Sequence, residues 1–367
     1  MNAVIGTPAR APQSPIRDFS TSIFAANANA TTLLASLSAK LEDPYLESRF
    51  DQTPWDFETL HSEVGAMLVA AFGRLEEPAL QCVHAILFAL YELHVAPIGS
   101  ERCANQFNPY LIRLQRAIER AWLDAELRRT RPLPADVTTP EGLVEAIRSE
   151  SARHRASKHP MFDFLERHAT TAQLVRFFRS DSSLNIRFFD LIVLALLGSD
   201  PAVRGELSQN FWDEAGKGEA KNSHVTLFKS LLESMGAPNE DDGEVSQLGW
   251  QGLAGHNLFM LTGLNRIHGF KSLGVMAVTE LLDPSQYDKL TRGCRRVGMG
   301  ANNQLAYYEE HISIDVVHAE GWLSNVIVPL AQRYPERMND IYVGAQMRLN
   351  TCSDYYDVLL ETLMQAE

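Results

Sequence analysis

Apolar residues recur along this chain at three- and four-residue intervals, and no convincing run of strict alternation interrupts them. The pattern therefore predicts helices and no sheet. Residues 57–72 and 79–95 read as amphipathic or buried helices split by Glu76-Glu77-Pro78, and 108–129 as a longer one rich in Arg and Ala. Residues 131–140 (Arg-Pro-Leu-Pro-Ala-Asp-Val-Thr-Thr-Pro) form the best linker candidate. Thr139 then caps a new helix with Pro140 at its first position. Further helices are expected over 141–155, 171–179, 184–197, 202–214, 225–235, 253–282, 284–297, 304–331 and 335–362, the last broken near Asn350. The expectation is an all-α protein. It comprises a disordered lead-in (1–20), an N-terminal helical region (21–135) and a second helical domain (136–367) that carries the chemistry.

With 367 residues, 45% of them hydrophobic and 22% charged, the chain has ample material for a core. A net charge of −13 argues against nucleic acid or an anionic membrane surface as partner. Part of that charge could be carboxylates neutralised by metal. The lead-in lacks the apolar stretch of a signal peptide, and no segment reaches the roughly 18 apolar residues of a membrane span. Cys82, Cys103, Cys294 and Cys352 show no CxxC pairing and read as scattered, reduced thiols of a cytoplasmic protein.

The strongest chemical signal is His311-Ile-Ser-Ile-Asp315-Val-Val-His318. Positions i, i+4 and i+7 share one helix face, so two imidazoles and a carboxylate point the same way. That donor set suits iron, manganese or zinc. The intervening residues are mostly apolar, so the helix is expected to be buried, and buried polar groups need partners: a metal, or a hydrogen-bonded core network. One helix face supplies too few ligands for a redox metal. Glu214 ends an apolar helix, Gly216 and Gly218 follow, and Asn222 or Ser223 could cap a helix starting at His224. The glycines could let Glu214 and His224 converge, although the pair also reads as a helix-end acid and a surface histidine. Glu280 lies deep in the run Leu273-Gly-Val-Met-Ala-Val-Thr-Glu280-Leu-Leu and demands a base or a metal.

The order of these features is Trp-Asp-Glu-x-Gly-x-Gly, a following His, one buried Glu, then His-x3-Asp-x2-His about thirty residues later. It resembles the haem-oxygenase-like diiron oxidases and oxygenases, the iron-containing redox enzymes, over about residues 141–350. The stretches 274–284, 293–298 and 315–322 support it, as does His159-Pro-Met-Phe, similar to the start of that fold's first core helix. The resemblance implies a haem-oxygenase-like helical bundle with an additional N-terminal region that helps form a homodimer. It implies Glu214, His224 and His318 around one iron, Glu280, His311 and Asp315 around the other, and Glu214 as bridging carboxylate. Asp190 is a candidate for a further carboxylate ligand on the preceding helix, or else a salt-bridge partner for Arg187.

The implied activity is reduction of O2 by two ferrous ions with an external reductant. The outcome is N-oxygenation, or oxidative decarboxylation and C–C cleavage, of a small specialised metabolite. His256, Asn257, Thr262, Asn265 and His268 favour a polar, amino-acid-derived substrate, with Arg295 and Arg296 as possible carboxylate anchors. The aromatic residues Phe188, Phe189, Trp212, Phe259, Tyr307 and Tyr308 lie near the candidate ligands in sequence, though each alone reads as ordinary core. The alternative is a metal-free, thiaminase-type hydrolase or binding protein of the same fold. It would need a nucleophilic cysteine beside acids, for which Cys294 is the nearest candidate. Haem binding would need a single axial histidine, and a non-enzymatic interaction protein would leave Glu280 and Asp315 unexplained.

Overall fold

In the computed structural model, which describes residues 28–237 and 248–365, every regular element is helical. The expected lead-in lies outside the described residues. An N-terminal layer comprises α1 (Ala28–Leu41), α2 (Leu46–Gln52), α3 (Pro54–Leu68, with a π-helical turn at Val69–Gly73), α4 (Glu77–Glu92) and α5 (Pro109–Leu127). Beyond it run α6 (Pro140–Arg153), α7 (Pro160–Arg167), α8 (Thr171–Leu196), α9 (Arg204–Glu214) and α10 (His224–Ser234). The chain continues through α11 (Trp250–Leu264), α12 (Gly269–Arg296), α13 (Ala306–Glu320, with a π-helical turn at Gly321–Ile327), α14 (Val328–Arg333) and α15 (Met338–Gln365). Helix starts follow local chemistry: Asn108, Thr139 and Ser223 side chains accept backbone N–H bonds at α5, α6 and α10, and Thr170 with Gln173 forms a capping box at α8. No helix of the described residues is long and apolar enough to cross a membrane.

Several boundaries differ from the sequence expectation. Helix α8 runs without a break through Ser180-Asp181-Ser182, because the Ser180 and Ser182 hydroxyls donate back to the Arg176 and Arg179 carbonyls of their own helix. The expected helix over 253–282 is interrupted at Asn265, whose side chain bonds the Leu261 carbonyl and Glu119 before a 3₁₀ turn at Arg266–His268. Pro284 sits inside α12 instead of opening a helix. The run over 304–331 is α13, its π-helical turn and α14, while α15 passes unbroken through Asn350. The candidate linker is fastened along α15: Arg131 N–H donates to Gln346 Oε1, Gln346 Nε2 donates to the Arg131 carbonyl, and Leu133 N–H donates to Asn339 Oδ1.

Helix α12 is held where side chains are missing. A Cβ on Gly274 would lie 2.0 Å from the Ile341 carbonyl oxygen, and one on Gly344 would lie 2.1 Å from that of Lys271. The backbones of α12 and α15 thus cross almost in contact. At the far end a Cβ on Gly293 would lie 2.2 Å from the Leu165 carbonyl of α7. These contacts set the depth of α12 and hence of Glu280. On the other side, α11 is buried from Leu253 to Thr262, and α4 packs along it. His84 of α4 lies 4.9 Å from the Trp122 ring and 5.8 Å from Trp250, and its Nε2 has no partner among the described residues.

Gly344→Ala should cost about 1–3 kcal/mol of unfolding free energy, because backbone faces the added methyl. A denaturation midpoint equal to wild type would show slack in the crossing. A second expectation concerns acid. Burial lowers the His84 pKa to about 3, against an ordinary 6.5. The unfolded chain binds this proton first, so the contribution is complete above about pH 6.5 and is lost as pH falls toward 3. His84→Phe should flatten the fall of stability below pH 6.5 by roughly 1.4 kcal/mol per pH unit. Urea titrations at pH 7, 6 and 5 measure it, and parallel slopes for the two proteins would refute it.

Candidate metal centre

Glu214 is the last residue of α9, and the turn after it needs glycine. Gly216 and Gly218 adopt φ of +66° and +87°, and a Cβ on Gly216 would lie 2.4 Å from the Asn222 backbone. The chain folds back to Ser223, which caps α10 and places His224 against Glu214, Nδ1 to Oε2 2.7 Å. The convergence the glycines suggested is therefore present. His311 of α13 closes this group, its ring centroid 4.3 Å from that of His224. A second group joins Glu280 of α12 to Asp315 and His318, one and two turns further along α13. Its His318 Nδ1 lies 3.7 Å from Glu280 and 3.9 Å from Asp315. Within each triad one ligand atom per residue lies within 4.8 Å of the others, and all six residues are buried.

The six expected residues thus come together, but not in the expected pairing. His311, not His318, joins Glu214 and His224, and His318 joins Glu280 and Asp315. Spacing along α13 puts both histidines on one face without saying which turn meets which neighbour. The start of α10 meets α13 at His311, about 10 Å of helix rise before His318. A second correction concerns α13 itself. It is not buried all round: Val316 and Val317 are 58% and 62% exposed, while the polar His, Asp and His face inward. That inversion is what an internal polar site requires.

Buried donor atoms lack partners here. Both nitrogens of His224, Nδ1 of His318, Oε1 of Glu280 and both oxygens of Asp315 make no hydrogen bond among the described residues. His224 and Glu214 are close yet misaligned for a hydrogen bond, as two ligands aimed at one ion would be. Burial, then the Glu280, Asp283 and Glu214 charges, push the Asp315 carboxyl well above its ordinary range. Burial followed by the charge of His224 lowers His311 to about 4. Burial opposes charge on His224, but Glu214 and Glu310 beside it prevail and raise it to about 9. Crowded acids and bases with free lone pairs fit divalent metal, and three carboxylates with three imidazoles suit iron.

Asp213 was not singled out in the sequence, though it stands inside the Trp-Asp-Glu run. Its Oδ2 lies 3.3 Å from His318 Nε2 and accepts from Gln209, which orients the ring so that Nδ1 faces the second triad. His311 Nδ1 lies 2.6 Å from the Tyr307 carbonyl, which leaves Nε2 for a ligand role.

Helices α8, α11, α12, α13 and α15 line a cavity of about 70 Å³ whose wall includes Glu280, His311 and Asp315. Asp190 does not reach it. That residue pairs with Arg187 at 3.7 Å on another face of α8, and the acid that α8 presents to the cavity is Asp181. Of the polar residues expected on the long helix, only His256 lines the cavity. Asn257 bonds the His84 carbonyl, Thr262 bonds its own helix, Asn265 bonds Glu119, and His268 ends the 3₁₀ turn just before α12. Arg295 pairs with Glu309, and Arg296 holds the Glu166 and Ala169 carbonyls, so neither faces the site. Cys294 is core, its thiol pushed by burial up to about 12. Cys352 does line the cavity, but burial raises its pKa too, which disfavours the thiolate a thiaminase-type nucleophile needs.

Residues 175–352, which contain all six candidate ligands, match the family model described as iron-containing redox enzyme. The resemblance read from the sequence, to iron-containing redox enzymes of haem-oxygenase-like fold, is borne out over this segment. A CADD-like protein of unknown function from Nostoc punctiforme, solved at 2.00 Å, has the same fold. It aligns with a TM-score of 0.50 and 17% identity, over 62% of this chain and 99% of its own. A 1.35 Å structure of a CADD-like protein from the same organism gives 0.49 and 16%, over 62% and 97%. Among curated proteins none matches significantly.

The pairing is tested by metal titration of double variants. Alanine at His224 and His311 together should leave one metal ion per chain, whereas alanine at His224 and His318 should abolish both. The reverse pattern would restore the pairing first expected.

Proposed function

We propose that this protein is an O2-dependent, non-haem diiron oxidase or oxygenase acting on a small amino-acid-derived metabolite. The oxidation is N-oxygenation, or oxidative decarboxylation and C–C cleavage, and it draws on an external reductant. The observation that carries this reading is the pair of buried triads sharing one face of α13 beside a cavity. Bound ferrous iron would supply the electrons that reduce O2.

The protein's own groups divide the remaining work. Glu214, His224 and His311 would hold one ion, Glu280, Asp315 and His318 the other, and the three carboxylates would offset the added positive charge. Asp213 and the Tyr307 carbonyl fix the rotation of His318 and His311, so that each ring turns its other nitrogen toward its triad. Tyr287 meets the His311 ring edge to face, Tyr307 is tilted against it, Tyr308 packs edge to face on both tyrosines, and together they shield the first triad from bulk water. The cavity is small and mixed in character, which suits a compact polar substrate better than a long hydrocarbon.

Anaerobic loading with ferrous iron followed by rapid mixing with O2 tests this. Uptake of two irons per chain, a transient visible band and O2 consumption are expected; Glu214→Ala should lose the iron of the first triad, the band and O2 consumption while iron at the second triad and helical content are kept. Iron should also raise the melting temperature and a chelator lower it, since a ligand of the native state stabilises that state. A melting temperature indifferent to both, with no O2 uptake, would overturn the reading.

A further inference from the structure

Arg348 lies midway along α15, only 8% exposed, and its side chain lines the cavity beside the triads. Its Nε donates to Thr279 Oγ1 at 3.0 Å, and its guanidinium carbon sits 4.7 Å from the centroid of the Phe259 ring. Among the described residues no carboxylate oxygen comes within 4.0 Å of it, and its two terminal nitrogens have no acceptor. A buried guanidinium held by its inner nitrogen, with its outer fork unpaired and turned to a cavity, is costly unless an anion meets it. That fork matches a carboxylate with two parallel N–H···O bonds.

The cavity also carries negative groups. Asp181 of α8 accepts from Tyr308 Oη and Asn185 Nδ2, both at 2.9 Å, which fixes its carboxyl. Asp283 of α12 lies one turn beyond Glu280 and borders the same space. Neither lies within ion-pair distance of Arg348, although its charge opposes the rise that burial imposes on both carboxyls. The cavity therefore offers an anion site and a cation site that do not pair directly.

We propose that Arg348 anchors the substrate carboxylate and that Asp181 and Asp283 receive its cationic nitrogen, so that the substrate is an amino acid bound as a zwitterion. The assignment rests on the cavity being the substrate pocket of the proposed diiron site. Within that reading it names Arg348 as the residue that determines specificity.

Calorimetric binding to the full chain, metal-free and iron-loaded under nitrogen, tests it. The probes are the common amino acids and, for lysine, ornithine and arginine, the matching amines cadaverine, putrescine and agmatine, which keep the cation and lose the carboxylate. At least one amino acid should bind, and Arg348→Gln should weaken it by tenfold or more, to about the level of an amine. Arg348→Lys should recover part of the loss, which shows that charge and not bulk matters. Circular dichroism and an iron titration identify a variant that has merely failed to fold. Equal binding to wild type and Arg348→Gln, amines binding as well as amino acids, or no probe binding at all would each overturn the proposal. If Arg348 only balances Asp283, Arg348→Gln should lose stability, Asp283→Asn should restore it, and probe binding should not change, which also overturns the proposal. Arg348-dependent binding in a protein that takes up no iron would instead sink the diiron reading and leave the anchor in place.

Discussion

Acidic groups crowded out of water dominate this structure. Glu214, Glu280 and Asp315 are buried with three imidazoles, and Asp181 and Asp283 border the adjoining cavity. Carboxylates so close in a dry interior resist ionising together, and burial with the Glu280 charge raises Asp315 and Asp283 well above the usual carboxylate range. Left alone, such a cluster would favour rearrangement of the helices that carry it. The fold has to hold the groups in place against that tendency, and it does so with backbone contacts instead of side-chain packing alone.

Glycine provides much of that grip. The mutual approach at Gly274 and Gly344 brings α12 and α15 nearly into backbone contact, and Gly293 does the same against α7. Between these points α12 cannot slide outward to put Glu280 in water. The turn at Gly216 acts likewise on the opposite side, locking the end of α9 to the start of α10 so that Glu214 and His224 remain 2.7 Å apart. Residues further out then set ring rotations: Asp213 for His318, and the Tyr307 carbonyl for His311. Position comes from backbone proximity and orientation from hydrogen bonds.

The identity of the six metal-site candidates was legible because each breaks a local rule: an acid in an apolar run, a polar stripe at helical spacing, glycines after a helix-ending Glu. Their pairing was not legible, since spacing within α13 carries no information about which partner helix meets which turn. Asp181 escaped notice because it falls in the gap between the helices expected over 171–179 and 184–197, whereas α8 runs through that stretch with the serine hydroxyls bonded to their own helix. Arg348 left no mark for a similar reason. It stands near Asn350, where the helix was expected to fail, and nothing in its neighbours shows that this turn of α15 faces a cavity. Arg295 and Arg296 looked equally suited to an anion, and only their carboxylate and carbonyl partners in the fold remove them.

The N-terminal layer lies outside the segment that matches the family model, yet the site leans on it. Helix α11 is buried all round, with His256 toward the cavity and Asn257 bonded to the His84 carbonyl of α4. A helix buried on every face needs cover on every side, and α4 covers the side away from the cavity-lining helices. Glu92 at the end of α4 pairs with Arg187 at 2.6 Å, on the helix that carries Asp181, and approaches His256 at 4.0 Å. The same α4 therefore braces two walls of the cavity, one through apolar packing and one through an ion pair. Stripping it away would expose α11 and take the Glu92 carboxylate from Arg187 together, so the cavity and the N-terminal layer have to be understood as one piece of architecture.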